Sequence, residues 1–265
     1  AVYLIPYRYY KRYGDLSVLE DCWDMIEKYA AYLWKHLGMT DKKAAKENPY
    51  NAYTYEKGVH LGEWLEPEKF RDKEYGAQAK HPEECTAYFY LSMTTIGEIA
   101  GLLGKKEIEA KCQEYAKGAK KAYHSLIVES GKLRTNRQAK LVRPLALGLL
   151  DGAEKEDAEK ELVEAVKGYA YCVGTGFLST PFILPVLADA GEVETAYKML
   201  ENTKKPGWLG EVADGATTIW ENWEGIREDG SISTHSFNHY AFGCIADFIY
   251  RRIAGVKRLA PGFRK

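Results

Sequence analysis

Apolar side chains recur at three- and four-residue intervals along most of the chain, the spacing that gathers them on one side of a helix. Leu19, Trp23, Ile26, Ala30 and Leu33 form such a stripe and predict an amphipathic helix over about Val18–Leu37. The same spacing predicts helices over about Glu83–Leu103, Lys106–Val128, Asn136–Leu150, Asp157–Tyr169, Thr180–Ala190, Val193–Asn202 and Phe237–Ala254. Strand-like alternation is scarce. Gly14, Gly38, Gly104, Gly131, Gly152 and Gly191 fall where the period breaks and suit left-handed helix ends. Two longer stretches have no period: Thr40 to His81, rich in Tyr, Lys, Asn and Gly, and Lys204 to Ser236, rich in Trp, Gly and Asp. Loops of that length in a compact domain tend to carry function.

Successive helices joined by short turns lie antiparallel and adjacent, and a long series of such hairpins stacks into a solenoid or closes into a toroid. The chain has no self-similarity at a period of about 30 to 45 residues, which a repeat solenoid requires. The expectation is therefore an all-α protein, a toroid of helical hairpins.

Charge and composition narrow the classes further. With 37 basic and 38 acidic side chains the net charge is −1, so the clustered cations of a nucleic-acid binder are missing. A 46% hydrophobic, 28% charged composition fits a folded, soluble chain. The five cysteines are scattered and form no C-x-x-C pair, which argues against a zinc cluster or a disulfide scaffold and for a reducing compartment. The apolar tract Gly176–Gly191 is too short and too polar to span a bilayer, and AVYLIPYRYY has no secretory-leader pattern. That first segment is apolar from the outset and has no capping Ser, Thr, Asp or Asn, so an upstream partner is expected, and with it a toroid incomplete at its N-terminus. An uncovered apolar seam would then need the rest of the polypeptide or a second copy of the chain.

Aromatic residues make up 13% of the chain, and in the long loops several adjoin carboxylates: Glu63-Trp64, Trp220-Glu221 and Trp223-Glu224. Aromatic faces accommodate the C–H face of a sugar ring, while carboxylates bind hydroxyls or move protons. The segment DGATTIWENWEG, Asp214–Gly225, is bounded by glycines and carries β-branched Thr217, Thr218 and Ile219 in a row, so an extended loop is predicted. Downstream, SFNHYAFG sets Asn238 and His239 at an expected helix start.

GATTIWENWEG followed by SFNHYAFG resembles the C-terminal half of the catalytic domain of bacterial α-L-rhamnosidases, glycoside hydrolase family 78. TGFLSTPFILPVLADAGEVETAYKML is similar to that family's TGF-x-x-TP-x-LL segment, HLGEWL resembles its GDWL, and AVYLIPYRYYKRYGDLSVLE resembles the helix that follows a Trp-Gly-Asp element. The resemblance runs from residue 1 to about Phe263 and implies an (α/α)6 barrel. It also implies that Glu221 is the general base, activating water in an inverting hydrolysis of terminal α-L-rhamnose, that His239 lines the rhamnose pocket and that Trp64 contacts the sugar. Trp223, beside the base, joins them as a candidate substrate-binding residue. No metal or organic cofactor is implied, and H-E-x-x-H and acidic triads are missing from the sequence.

Departures from the family pattern are equally informative. The family's general acid lies on an Arg-Glu element ahead of a Gly-Trp-x-Gly-Asp motif, and neither occurs here in that context; Arg227-Glu228 is the one Arg-Glu pair. The acid is therefore expected upstream of Ala1. Glu63 stands where the family usually has Asp, and Ser179 where it usually has Gly. The rival from another class is a non-catalytic carbohydrate-binding or scaffold module in which Trp64, Trp223 and His239 bind and Glu221 only accepts hydroxyl protons.

Overall fold

A computed structural model of the chain describes residues 1–72, 76–128, 133, 135–234 and 236–264. Among them β-structure is confined to two isolated bridges, Gly38 with Tyr55 and Ile226 with Ile232, and the rest is helix and loop. The chain divides into two compact units, one of Ala1–His60, Lys80–Ile127 and Lys257–Lys265, the other of Leu61–Ala79 and Val128–Val256.

The first unit holds α1 (Leu4–Tyr13), α2 (Ser17–Asp21), α3 (Trp23–Lys35), α4 (Lys42–Glu47), α5 (Pro82–Leu102) and α6 (Lys106–Ile127). The predicted stripe is real: Leu19, Trp23, Ile26, Ala30 and Leu33 are all buried. The single helix predicted over Val18–Leu37 is broken at Cys22, whose backbone (φ −90°, ψ −3°) leaves the α-helical well and separates α2 from α3. α1 begins at Tyr3 without a side-chain cap and ends at left-handed Gly14 (φ 74°), whose N–H returns to Tyr10 O at 2.7 Å. α5 is apolar on nearly every side, burying Phe89, Met93, Ile96 and Ile99, and turns at Gly104 (φ 69°) into α6. Small residues allow the close approach. A Cβ on Gly97 would lie 3.1 Å from the Cys112 Cβ, and one on Gly118 would lie 2.2 Å from the Tyr53 ring. Helix α4 lies inside the stretch predicted to be aperiodic; Asp41 starts it by accepting from the Lys43 and Ala44 N–H groups at 2.8 and 3.0 Å.

The second unit holds α7 (Gln138–Leu147), α8 (Gly152–Gly168), α9 (Thr180–Asp189), α10 (Val193–Leu200), α11 (Trp208–Ala213) and α12 (Ile245–Phe248). α8 begins earlier than its periodicity predicts, directly at Gly152, and α11 is a short helix within the second aperiodic stretch. The helix predicted over Phe237–Ala254 is the largest correction. Asn238–Tyr240 stay non-helical because the His239 N–H is committed to Ile219 O, and helix begins only as a tight turn over Ala241–Cys244, continues as α12 and widens over Ile249–Ile253. Gly131, expected at a helix end, lies outside the described residues.

Candidate active site

The GEWLE segment is the anchor of the second unit. Glu63 is 4% exposed and its carboxylate is saturated: Oε1 accepts the N–H groups of Gly176 and Ser179, both at 2.9 Å, while Oε2 accepts the Ser179 hydroxyl at 2.7 Å and pairs with Arg143 Nη2 at 2.5 Å. Arg143, on α7, is 1% exposed. A buried charge survives only when paired and hydrogen-bonded, and this one ties three segments of chain together in meeting that demand. The hydroxyl of Ser179 takes part in it, so the serine that departs from the family pattern is one of the partners of the glutamate that also departs.

Backbone contact completes the junction. Phe177 N–H donates to Trp64 O at 2.8 Å, and a Cβ on Gly176 would lie 2.3 Å from that same oxygen, so the approach requires glycine. Leu65 adopts φ 55°, an uncommon left-handed conformation for a branched residue, and turns the chain between Trp64 and Glu66. The Trp64 ring is half-buried and packs against Gly76, where a Cβ would come within 2.7 Å of it. A second buried pair follows at once: Arg137 embraces Glu66 with Nε and Nη2 and reaches Asp72 with Nη1 at 2.9 Å.

GATTIWENWEG is a non-helical loop, as its β-branched run predicts. Its centre lies alongside SFNHY through two backbone bonds, Glu221 N–H to Ser236 O at 3.0 Å and His239 N–H to Ile219 O at 2.8 Å, with the Thr218 hydroxyl donating to Phe237 O. Trp220 is buried with its edge against Phe237, at a ring separation of 5.0 Å, and Asn222 is buried on the other side. Glu221, between them, remains half-buried. Phe177 joins this loop to the GEWLE segment, because its ring stacks on His239 at 5.2 Å while its N–H is held by Trp64 O. The segments of Trp64, Glu221 and His239, far apart in sequence, are thus brought together through one phenylalanine. His239 Nδ1 accepts the Ala241 N–H at 3.2 Å, which leaves the ring proton of the neutral imidazole on Nε2, as a donor.

Trp223 differs from expectation. It is 0% exposed, its indole N–H donates to Thr175 O at 2.9 Å, and its ring stacks on Phe242 at 3.9 Å with Trp208 edge-on at 5.3 Å. It is a core residue behind the loop and offers no face to a ligand. Arg227, of the misplaced Arg-Glu pair, lies on a surface turn and meets Glu68 at 3.1 Å. A cleft of about 660 Å³ lies elsewhere in the unit, lined by Phe70, Tyr169, Asn136, Asp157 and Glu161 among others, and none of Trp64, Glu221 or His239 borders it.

Sequence reasoning missed Glu211, on α11. It is 2% exposed; Oε2 accepts the Trp220 N–H at 3.3 Å, Oε1 has no partner among the described residues, and burial pushes the carboxyl up to about 8 against the pull of that bond. It also missed Arg143 and Arg137, although Arg143, set among the apolar residues of LVRPLALGLL, is a legible signal that a buried anion is required.

Residues 1–253 match the model of the bacterial α-L-rhamnosidase 6-hairpin glycosidase domain. The chain belongs to this family. An α-L-rhamnosidase from Formosa agariphila is 32% identical over 266 residues, covering 98% of the chain and 27% of that protein. The crystal structure of Streptomyces avermitilis α-L-rhamnosidase complexed with L-rhamnose superposes with a TM-score of 0.82 at 30% identity, over 99% of the chain and 24% of that structure; the α-L-rhamnosidase from Aspergillus terreus gives 0.83 at 26%, over 99% and 30%. The chain therefore spans about a quarter of the length of the rhamnosidases it matches. The all-α hairpin fold read from the sequence is the fold of this family.

Proposed function

We propose that the residues gathered around Phe177 form part of the catalytic site of an inverting glycoside hydrolase that cleaves terminal α-L-rhamnose, with Glu221 as general base. The observation that carries this reading is the pairing of Ile219–Glu221 with Ser236–His239, because it holds the backbones of half-buried Glu221 and of His239 on neighbouring segments, and the His239 Nε2–H suits a sugar hydroxyl. Trp64 supplies an apolar face. Trp223 takes a supporting role: its indole holds the wall that carries Glu221 and does not touch sugar. The relatives' names extend the reading to rhamnose-containing glycans and glycosides, and the Streptomyces complex favours an enzyme over a binding module.

The mechanism follows from elementary demands. Glu221 accepts a proton from water as that water attacks the anomeric carbon, the glycosidic C–O bond breaks on the opposite face, and a second carboxyl protonates the leaving oxygen. In an inverting enzyme the two carboxyls stand about 6.5 to 9.5 Å apart so that water fits between base and ring. The protonating group is not among the residues that match the family's motifs here.

The test uses the native polypeptide that carries residues 1–265 and an aryl α-L-rhamnoside. Glu221→Ala should lower turnover by about 10² or more, since a general base contributes 10² to 10⁴. Azide should restore part of the rate by occupying the vacated space, and NMR should reveal the β-anomer as the first sugar released by the native protein. An α-anomer first, or full turnover by Glu221→Ala, would sink the proposal.

A further inference from the structure

We propose that Glu211 is a positioning residue for the catalytic loop, its side chain accepting the hydrogen bond that fixes the backbone immediately before Glu221. This rests on the reading of Glu221 as the base and deepens it.

Glu211 spans the loop from both ends. Its main-chain carbonyl accepts the Ala216 N–H at 3.0 Å, closing the turn that follows α11, and its side-chain Oε2 accepts the Trp220 N–H at 3.3 Å, four residues further on. Residues 211–220 are thereby closed into a loop with Glu211 at both contacts. On the far side, Ile219 and Glu221 are held by the bonds to His239 and Ser236. Trp220 is the residue between these two bonds, and its N–H faces the opposite way in an extended segment. Among the described residues, Glu211 therefore supplies the one hydrogen bond to the Ile219–Glu221 backbone that does not come from the SFNHY segment. A buried peptide N–H needs an acceptor, and losing it leaves that donor without a partner.

The chemistry of the choice is informative. Glutamate is an expensive way to accept one N–H in an apolar setting unless the carboxyl stays neutral, and burial raises its pKa to about 8. In the neutral form Oε2 is a carbonyl oxygen and glutamine is its faithful mimic. Methionine matches the length and the apolar packing and provides no comparable acceptor. The two variants therefore separate hydrogen bonding from space filling.

In the native polypeptide that carries residues 1–265, Glu211→Met should lower kcat on an aryl α-L-rhamnoside about tenfold with KM changed less than twofold, because a displaced base impairs the chemical step and leaves the sugar contacts in place. Glu211→Gln should recover most of that loss. Amide hydrogen exchange provides a readout that does not depend on turnover: the Trp220 N–H should exchange at least tenfold faster in Glu211→Met than in the native protein, and Glu211→Gln should restore its protection. Equal Trp220 protection in the native and Met proteins, or Met and Gln variants that behave alike in kcat and in exchange, would overturn the inference. If Glu221→Ala keeps full activity while Trp220 exchange still follows the pattern above, the identity of the base is wrong and the brace stands.

Discussion

The helical hairpin α5–α6 and the loops around Phe177 hold their backbones in opposite ways. In the hairpin, burial falls on Phe89, Met93, Ile96 and Ile99 with glycines at the closest approaches, and backbone polar groups are satisfied within each helix. Around Phe177 the chain is extended or turning, so its N–H and C=O groups have no helix to serve them. Buried side chains serve instead: Glu63 for Gly176 and Ser179, Gln138 for Gly174, Glu211 for Trp220. Irregular backbone in a protein interior takes its polar partners from other backbone segments, as Phe177 does from Trp64, and where none is in reach from buried side chains, each of which brings a desolvation cost that the helical hairpin avoids.

The largest expected effect breaks the polar side of that contrast. Arg143→Met should leave Glu63 buried without its cation and destabilise the chain by about 3–5 kcal/mol in denaturant unfolding, and adding Glu63→Gln should recover part of the loss because neither charge is then buried. A single variant that costs no more than a surface change would show that the pair is not needed. On the apolar side, Gly118→Ala drives a methyl into the Tyr53 ring and should cost about 1–3 kcal/mol by the same measurement.

The pH dependence sharpens the comparison. A carboxyl whose folded pKa is raised stabilises the fold most when protonated in both states, below the ordinary carboxylate range near 4.5, and that contribution is lost as pH rises toward about 8. From Glu211 alone, stability should decline by about 1.4 kcal/mol per pH unit across that window. Glu211→Gln should flatten the decline in unfolding curves taken at intervals between pH 5 and 8, and an unchanged slope would mean that the carboxyl ionises freely in the fold. At the small end, Lys28→Ala removes an exposed pair with Asp24 at 2.7 Å and should change stability by no more than about 0.5 kcal/mol.

The hairpin half of this contrast was legible in the sequence. Period and glycine punctuation gave α5, α6, α9 and α10 nearly to the residue, since apolar spacing and burial are the same fact seen twice. The loop half was legible only by motif. GATTIWE and SFNHY could be recognised as belonging together, but nothing in either says that Ile219 and Glu221 form backbone bonds with His239 and Ser236, and those bonds are why the helix expected over Phe237–Ala254 does not begin until Ala241. Trp223 misled because an aromatic beside a carboxylate reads the same whether it faces a sugar or the core. Asp41 before KKAAKE was a readable capping signal for α4, obscured by the irregular stretch around it.

The pairing of Ile219–Glu221 with Ser236–His239 fixes the register of the two backbone segments that carry Glu221 and His239. The residues between them keep pairing, with Ser233 N–H to Gly225 O and Arg227 N–H to Ser231 O both at 2.9 Å, turn where Ile226 meets Ile232, and reach the surface at Asp229-Gly230, a tip held by the Gly230 N–H to Arg227 O bond at 2.9 Å. Length at that tip is therefore uncoupled from the register of the segments that carry Glu221 and His239. Extra residues grafted there would lengthen the turn while the register of Ile219–Glu221 against Ser236–His239 stays fixed, so this tip is a point at which the domain can grow without disturbing the segments that carry Glu221 and His239.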